Sequence, residues 1–468
     1  MRIAVLIICG VSCVACSVAP TYRQPTAEIP PSFKEAPGWR EATPSDAVAR
    51  GEWWQLFGDP VLSDLQRQVV LSNQNLAASK AAYDQARASV RELRASLLPV
   101  IDLTASGTKV GSFGTGNPTV GSTGSVSTGG NSRYSVTIGT TWEPDLWGRI
   151  GDSVRQAGAL AQASEADLAN ATLSAQGELA LNYIQVRGLQ AQEEVLTATI
   201  AAYERALTIT TNRYNAGVAA RSDVLQAETA LRNARANVAD LGRQRALLEH
   251  AIAVLVGVNP SNFSLPSGEW SRNVPEIPGV LPASLLERRP DIAAAERRVA
   301  AANSAIGIER SAYFPTFQLS GDAGYNSRNM SDLFESASSI WSLGLTGALT
   351  LLDFGARSAR VDQARAAYEQ TVAEYRQTVL TAFQQTEDQL AALRVLEIVT
   401  TERDAAAVAA KSAEKIAYNQ YFAGQIGYAD VIVAQTAALS SRQAEIQAVV
   451  DRQSAAVSLI QAIGGHWQ

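Results

Sequence analysis

The chain is poor in the residues from which catalytic and metal sites are built. It has two histidines, His250 and His466, in different halves of the sequence, and three cysteines, Cys9, Cys13 and Cys16, all within the first sixteen positions. No Cys/His cluster has metal-ligand spacing, no Gly-x-Ser-x-Gly elbow occurs, and no Gly-Lys pair exists to form a phosphate loop. These absences weigh against an enzyme, so no catalytic, cofactor or metal residue is assigned. Basic charge is also short: 39 Lys and Arg against 45 Asp and Glu give a net charge of −6. That balance argues against a nucleic-acid surface and permits a solvated exterior or an acidic channel.

Proline is absent from two long stretches. All seventeen prolines lie at or before Pro315, and none falls between Pro144 and Pro260. The resulting proline-free runs are rich in Ala, Gln, Glu and Arg, as very long helices require. In the second run Val361, Tyr368, Val372, Tyr375, Val379 and Ala382 recur mostly on three- and four-residue steps, a coiled-coil-like seam. With 46% hydrophobic and 18% charged residues, the 468-residue chain has the composition of a folded protein.

The first residues read as a leader. Arg2 gives one positive charge, and Ile3 to Val14 is apolar but too short to span a bilayer. It ends in Cys13-Val14-Ala15-Cys16, which resembles a bacterial lipobox with Cys16 as the lipidated residue. A plain cleaved signal followed by a free thiol is the alternative. Cleavage there would leave one cysteine and no internal disulfide. Ser17 after the cysteine resembles lipoproteins exported to the outer membrane.

An internal repeat organises the rest. "NRYNAGVAARSDV" from Asn212 returns as "NQYFAGQIGYADV" from Asn419, and the pairs Gly148/Gly355, Gly217/Gly424, Asp223/Asp430 and Gly257/Gly464 keep the same 207-residue separation. Upstream, Leu98-Pro99 answers Phe314-Pro315 at 216. Gly217 and Gly424 supply the left-handed residue that ends one helix before a second returns. Between each proline and glycine the hydrophobic period falls to two. Ile101, Leu103 and Ala105 alternate with Asp102, Thr104 and Ser106, and three further runs, from Tyr134, Phe317 and Trp341, do likewise. Four strands of about ten residues with one apolar face match membrane β-strands. A soluble sandwich shows similar alternation, but Trp142, Trp147, Phe314 and Trp341 sit near strand ends, where an interfacial girdle places aromatics.

These readings divide the chain into a signal peptide over 1–15, an extended arm over 16–60, helices of the first repeat over 61–98 and a membrane hairpin over 99–147. A long helical hairpin over 148–257 and an equatorial linker over 258–290 follow. The second repeat supplies a helix over 291–314, a hairpin over 315–354 and a long helical hairpin over 355–468. A sheet in lipid cannot leave an open edge, and four strands cannot enclose a usable interior. Three copies would supply twelve strands. The expected fold is therefore mainly α with a membrane β part: a trimeric twelve-stranded barrel continued by a long α-helical barrel.

The stretch "LLERRPDIAAAERRVAAANSAIGIERSAYFP" from Leu285, the run from Cys16 to Tyr22, Trp53-Trp54 and "EPDLWGR" from Glu143 together resemble the TolC-family outer-membrane factors, in their lipoprotein branch. The resemblance covers nearly the whole chain. It implies a homotrimeric duct for small molecules, lipid-anchored at the periplasmic side of the outer membrane and docked on a periplasmic adaptor and an inner-membrane transporter. A duct for protein secretion, or a coiled-coil envelope lipoprotein that forms no channel, are the rivals. By the same resemblance Tyr421 matches a tip tyrosine that holds relatives closed, Asp223 its partner, and Tyr214, Arg221 and Asp430 further members of a periplasmic gate. The residues also admit a plainer reading, with Asp223 and Gln226 as a capping box, Asp430 as a cap, and the tyrosines as packing in the turns.

Overall fold

The computed structural model describes residues 17–26, 33–34, 52–110, 131–268, 270–275 and 289–465. Cys16 and His466 lie outside them. Among the described residues seven α-helices and four strands follow in chain order: α1 Pro60–Ser72, α2 Gln74–Ala95, β1 Val100–Val110, β2 Asn131–Trp142, α3 Arg149–Asn215, α4 Arg221–Leu255, α5 Pro290–Ser311, β3 Thr316–Ser327, β4 Ser339–Ala348, α6 Ala356–Phe422 and α7 Tyr428–Ala462. The repeat is visible in the lengths: α3 and α6 each have 67 residues, α4 and α7 each 35. At 1.5 Å per residue a 67-residue helix is about 100 Å long.

The chain divides into two units. One holds the four strands with α5 and the strand-proximal turns of the long helices. Its sheet is antiparallel throughout, ordered β1-β2-β3-β4, so β1 and β4 are both edges. Register sets Leu103, Ile138, Ala323 and Trp341 in one cross-strand row, and Asp102, Gly139, Asp322 and Ser342 in the next row on the opposite face. Among the described residues nothing covers the apolar face: Trp341 is 81% and Leu103 71% exposed. Bare apolar side chains over a whole sheet face mark a surface made for another environment.

The same unit holds the chain just after Cys16 against the start of α3 and against α5. Ser17 Oγ donates to the fully buried Asp152 at 3.0 Å, and Asn303 Nδ2 donates to Pro20 O at 2.9 Å. Tyr22 donates to Glu296 Oε1. Two glycines make room for this arm: a Cβ on Gly307 would stand 2.5 Å from that of Ala19, and one on Gly148 would stand 2.8 Å from Ser17 Cα.

The second unit packs Trp53, Trp54 and Phe57 with Leu62, Leu65 and Val69 of α1 against Leu179, Tyr183 and Ile184 of α3, Ile252 of α4, and Val457 and Ile460 of α7. A buried polar chain accompanies this core. Tyr183 donates to Asp59 Oδ2 at 2.6 Å, and the buried Arg187 donates to the Tyr183 hydroxyl at 2.9 Å and to Pro266 O at 3.0 Å. Burial and the Asp59 hydrogen bond push the Tyr183 phenol well above its usual range. The Arg-Pro-Asp motif proves structural. Arg289 is buried, donates to Ala462 O at 2.7 Å, satisfying a free carbonyl at the end of α7, and clasps Asp291 with two further bonds. No described helix is long and apolar enough to cross a membrane.

Candidate functional site

Both long helices end in the same turn. Val218 N–H donates to Arg213 O and Gln425 N–H to Gln420 O, each at 2.9 Å, while Gly217 and Gly424 take φ of 77° and 72°. This six-to-one closure needs a left-handed residue, which only glycine adopts cheaply. The next helices then start at Arg221 and Tyr428.

The capping reading of the two aspartates is not realised. The N-cap residues are Ala220 and Gly427, neither with a capping side chain, and Asp223 and Asp430 stand three residues further on, inside the first turn. The helices begin three residues earlier than a capping role for either carboxylate requires. There they face the positive helix end, worth about 0.3–1 kcal/mol each.

The two hairpin ends meet through aromatic packing. Tyr421 and Tyr428, 4% and 2% exposed, lie with ring centroids 5.3 Å apart, packed with Val431, Ala206 and Ala227. Arg213 from the other hairpin sits over the Tyr421 ring, its Cζ 4.7 Å from the centroid, and Nη1 reaches Tyr421 O at 3.5 Å. A guanidinium on a shielded ring is attractive by roughly 1–2 kcal/mol. Neither tyrosine hydroxyl finds a hydrogen-bond partner among the described residues. Burial, followed by the neighbouring Tyr421, pushes the Tyr428 phenol well above its usual range.

Of the sequence candidates, then, Tyr421 is in this cluster, Asp223 is half-buried at its edge, and Tyr214, Arg221 and Asp430 are exposed beside it. Asp223 accepts from Ser222 Oγ at 3.3 Å, and no bond joins it to Tyr421 in the protomer. Arg213 and Tyr428 carry no repeat signal in the sequence, because neither is an identity between the copies. Across the 207-residue offset Arg213 answers Gln420, and Arg221 answers Tyr428. Tyr421, Val431, Ala206 and Ala227 each match the same residue type in the other copy, so the cluster joins shared positions to two that differ. Among the described residues no group of His, Cys, Asp or Glu could hold a metal ion.

The chain thus combines a sheet with one exposed apolar face, two 67-residue helices, and a cluster of packed rings where the two helical hairpins end. Comparison with known proteins agrees. The family model for outer membrane efflux protein matches residues 65–258 and 281–465. The probable efflux pump outer membrane protein TtgC of Pseudomonas putida is 30% identical over 455 residues, covering 97% of this chain and 93% of that one. Outer membrane protein OprJ of Pseudomonas aeruginosa is 30% identical over 456 residues, with the same coverage. A solved structure of the outer-membrane channel OprN is 29% identical, with a TM-score of 0.85 over 97% of this chain and 100% of that one.

Proposed function

This chain belongs to the outer membrane efflux protein family and is the outer-membrane part of an efflux pump; from that premise we propose that three copies form a passive, gated duct. The observation that carries the reading is the sheet. Its apolar face is exposed, its polar face carries Asp102, Thr104, Thr137 and Asp322, and both its edges are bare. In lipid an unpaired edge costs several kcal/mol per group, and four strands fall short of the roughly eight that enclose an interior. Twelve strands from three copies satisfy both constraints and turn the polar face into a lumen.

The long helices extend the lumen into the periplasm, where the hairpin ends form its entrance. There the Arg213–Tyr421–Tyr428 cluster ties the α3–α4 hairpin to the α6–α7 hairpin, and threefold repetition turns three such ties into an iris. Tyr214, Arg221, Asp223 and Asp430 are left at the surface to meet neighbouring copies or a docked periplasmic adaptor. Energy comes from an inner-membrane transporter that delivers the cargo to the duct. Cys16, if lipidated, anchors the chain beside the Ser17–Asp152 contact. In this arrangement the boundaries read from the sequence separate arm, barrel hairpins, helical hairpins and equatorial linker.

Reconstitution tests this. The protein extracted from outer membranes should run as a heat-dissociable trimer, conduct ions in planar bilayers, and restore efflux of a fluorescent dye to a deletion strain. A stable detergent-free monomer without conductance would refute it.

A further inference from the structure

The sequence repeat extends into the sheet. β2 and β4 are related by 207 residues, β1 and β3 by 216. Applied together, these offsets carry Leu103 opposite Ile138 in the first hairpin onto Leu319 opposite Leu345 in the second, the pair observed. The seam between hairpins, β2 to β3, has a counterpart that the protomer does not form: β4 to β1.

An unfilled counterpart also exists below the sheet. The Trp147 indole stacks on Phe314 with centroids 4.7 Å apart and planes 22° apart, and its Nε1 donates to Pro315 O at 2.8 Å. This joint locks the end of the first hairpin to the start of the second. The offsets turn Trp147 into Phe354, and Phe314-Pro315 into Leu98-Pro99. Both counterparts are bare: Phe354 is 93% and Leu98 66% exposed. Phe354 is also the one non-glycine residue among those described with positive φ, at 52°. A bulky side chain held there is strained and persists where surroundings over-determine it. A bare ring in a strained backbone lacks such surroundings in the single chain.

We propose that Phe354 of one copy packs on Leu98 and Pro99 of the next, and that β4 pairs antiparallel with the next copy's β1, Thr346 opposite Ser106. The partner is a second copy of this chain, because the surface that fits is the internal image of one already present. The inference rests on the ring of copies proposed above and goes beyond it by fixing which residues meet. The register follows from Gly139 opposite Asp322 in β2–β3, moved forward by 207 and back by 216. It keeps the faces intact: Leu345 falls opposite Gly107, on the side of Leu103. A slip of one residue would turn Leu345 towards the polar face. The polar row Asp102, Gly139, Asp322, Ser342 then continues at position 110 of the next copy. Each copy therefore advances the register by eight residues, the stagger of strongly inclined strands.

Disulfide trapping decides the matter. Thr346→Cys with Ser106→Cys, and separately Phe354→Cys with Leu98→Cys, should each give a covalent ladder ending at the trimer when membranes are oxidised. Thr346→Cys with Thr104→Cys, two residues out of register, should lose that ladder, since diagonal neighbours lie about 7–8 Å apart and a disulfide needs Cβ atoms at about 3.5–4.5 Å. A ladder from the shifted pair alone would overturn the register while leaving a ring of copies standing. No ladder from any pair, with a monomer in sedimentation, would overturn both.

Discussion

Replacing Tyr428 by Phe should tighten the closed duct, whereas replacing it by Ala should open it. Both follow from the same cluster. The Tyr428 ring is buried against Tyr421 and Val431, and its hydroxyl has no partner among the described residues. A buried polar group left unpaired costs about 1–3 kcal/mol. Phe keeps the ring and deletes that cost, so each copy should gain about 1 kcal/mol in the closed arrangement. Three copies opening together would gain about 3 kcal/mol, close to a hundredfold drop in open probability at tenfold per 1.4 kcal/mol. Ala deletes the ring itself, and truncating a buried aromatic costs about 3–5 kcal/mol per site. Three such losses exceed anything Arg213 can restore. Single-channel recording in planar bilayers reads both directions: Y428F should show long closures at wild-type conductance, and Y428A a raised open fraction. If Y428F opened the channel as Y428A does, the hydroxyl would be a working latch, and the account of closure by ring packing would fall.

The same phenol predicts a pH response. Its proton is held more tightly in the closed cluster than in an ordinary tyrosine, so that contribution to closure is complete below about pH 10 and declines as pH rises beyond it; open fraction should be flat from about pH 6 to 9 and climb in alkali, and Y428F should flatten the climb. Gly307→Ala should dislodge the arm, because its Cβ would meet Ala19 and Asp152 Oδ2 at 2.5 Å; overpacking of this kind costs about 1–3 kcal/mol, and trypsin should cut after Arg23 several-fold faster than in the wild type. Asp102 and Asp322 flank Gly139 on the polar face; if that face lines the pore, D102N/D322N should move the reversal potential in a KCl gradient towards zero, and an unchanged potential would place these carboxylates away from the ion path.

What the sequence disclosed, and what it withheld, has a physical pattern. Long-range periodicity and punctuation were legible. The absence of proline announced very long helices, and two of 67 residues are there. Alternation gave four strands, and their two faces sort in the sheet as the pattern implies. Gly217 and Gly424 were legible because a left-handed turn residue has one cheap solution. Side-chain partnerships across the hairpins were not, since packing between α3 and α6 joins residues 208 apart in sequence, as with Arg213 and Tyr421. Repeats mislead here in a specific way. Identity between copies covers the turns, the helices and part of the packing, since Tyr421 and Val431 repeat Tyr214 and Val224. Difference supplies the rest: Arg213 answers Gln420 and Tyr428 answers Arg221, and both pack on the shared Tyr421. By that logic Trp147 and Phe354 differ because one meets its own chain while the other is left to meet a copy. The mismatched positions of a duplicated channel chain are therefore the first places to look for its latches and joints.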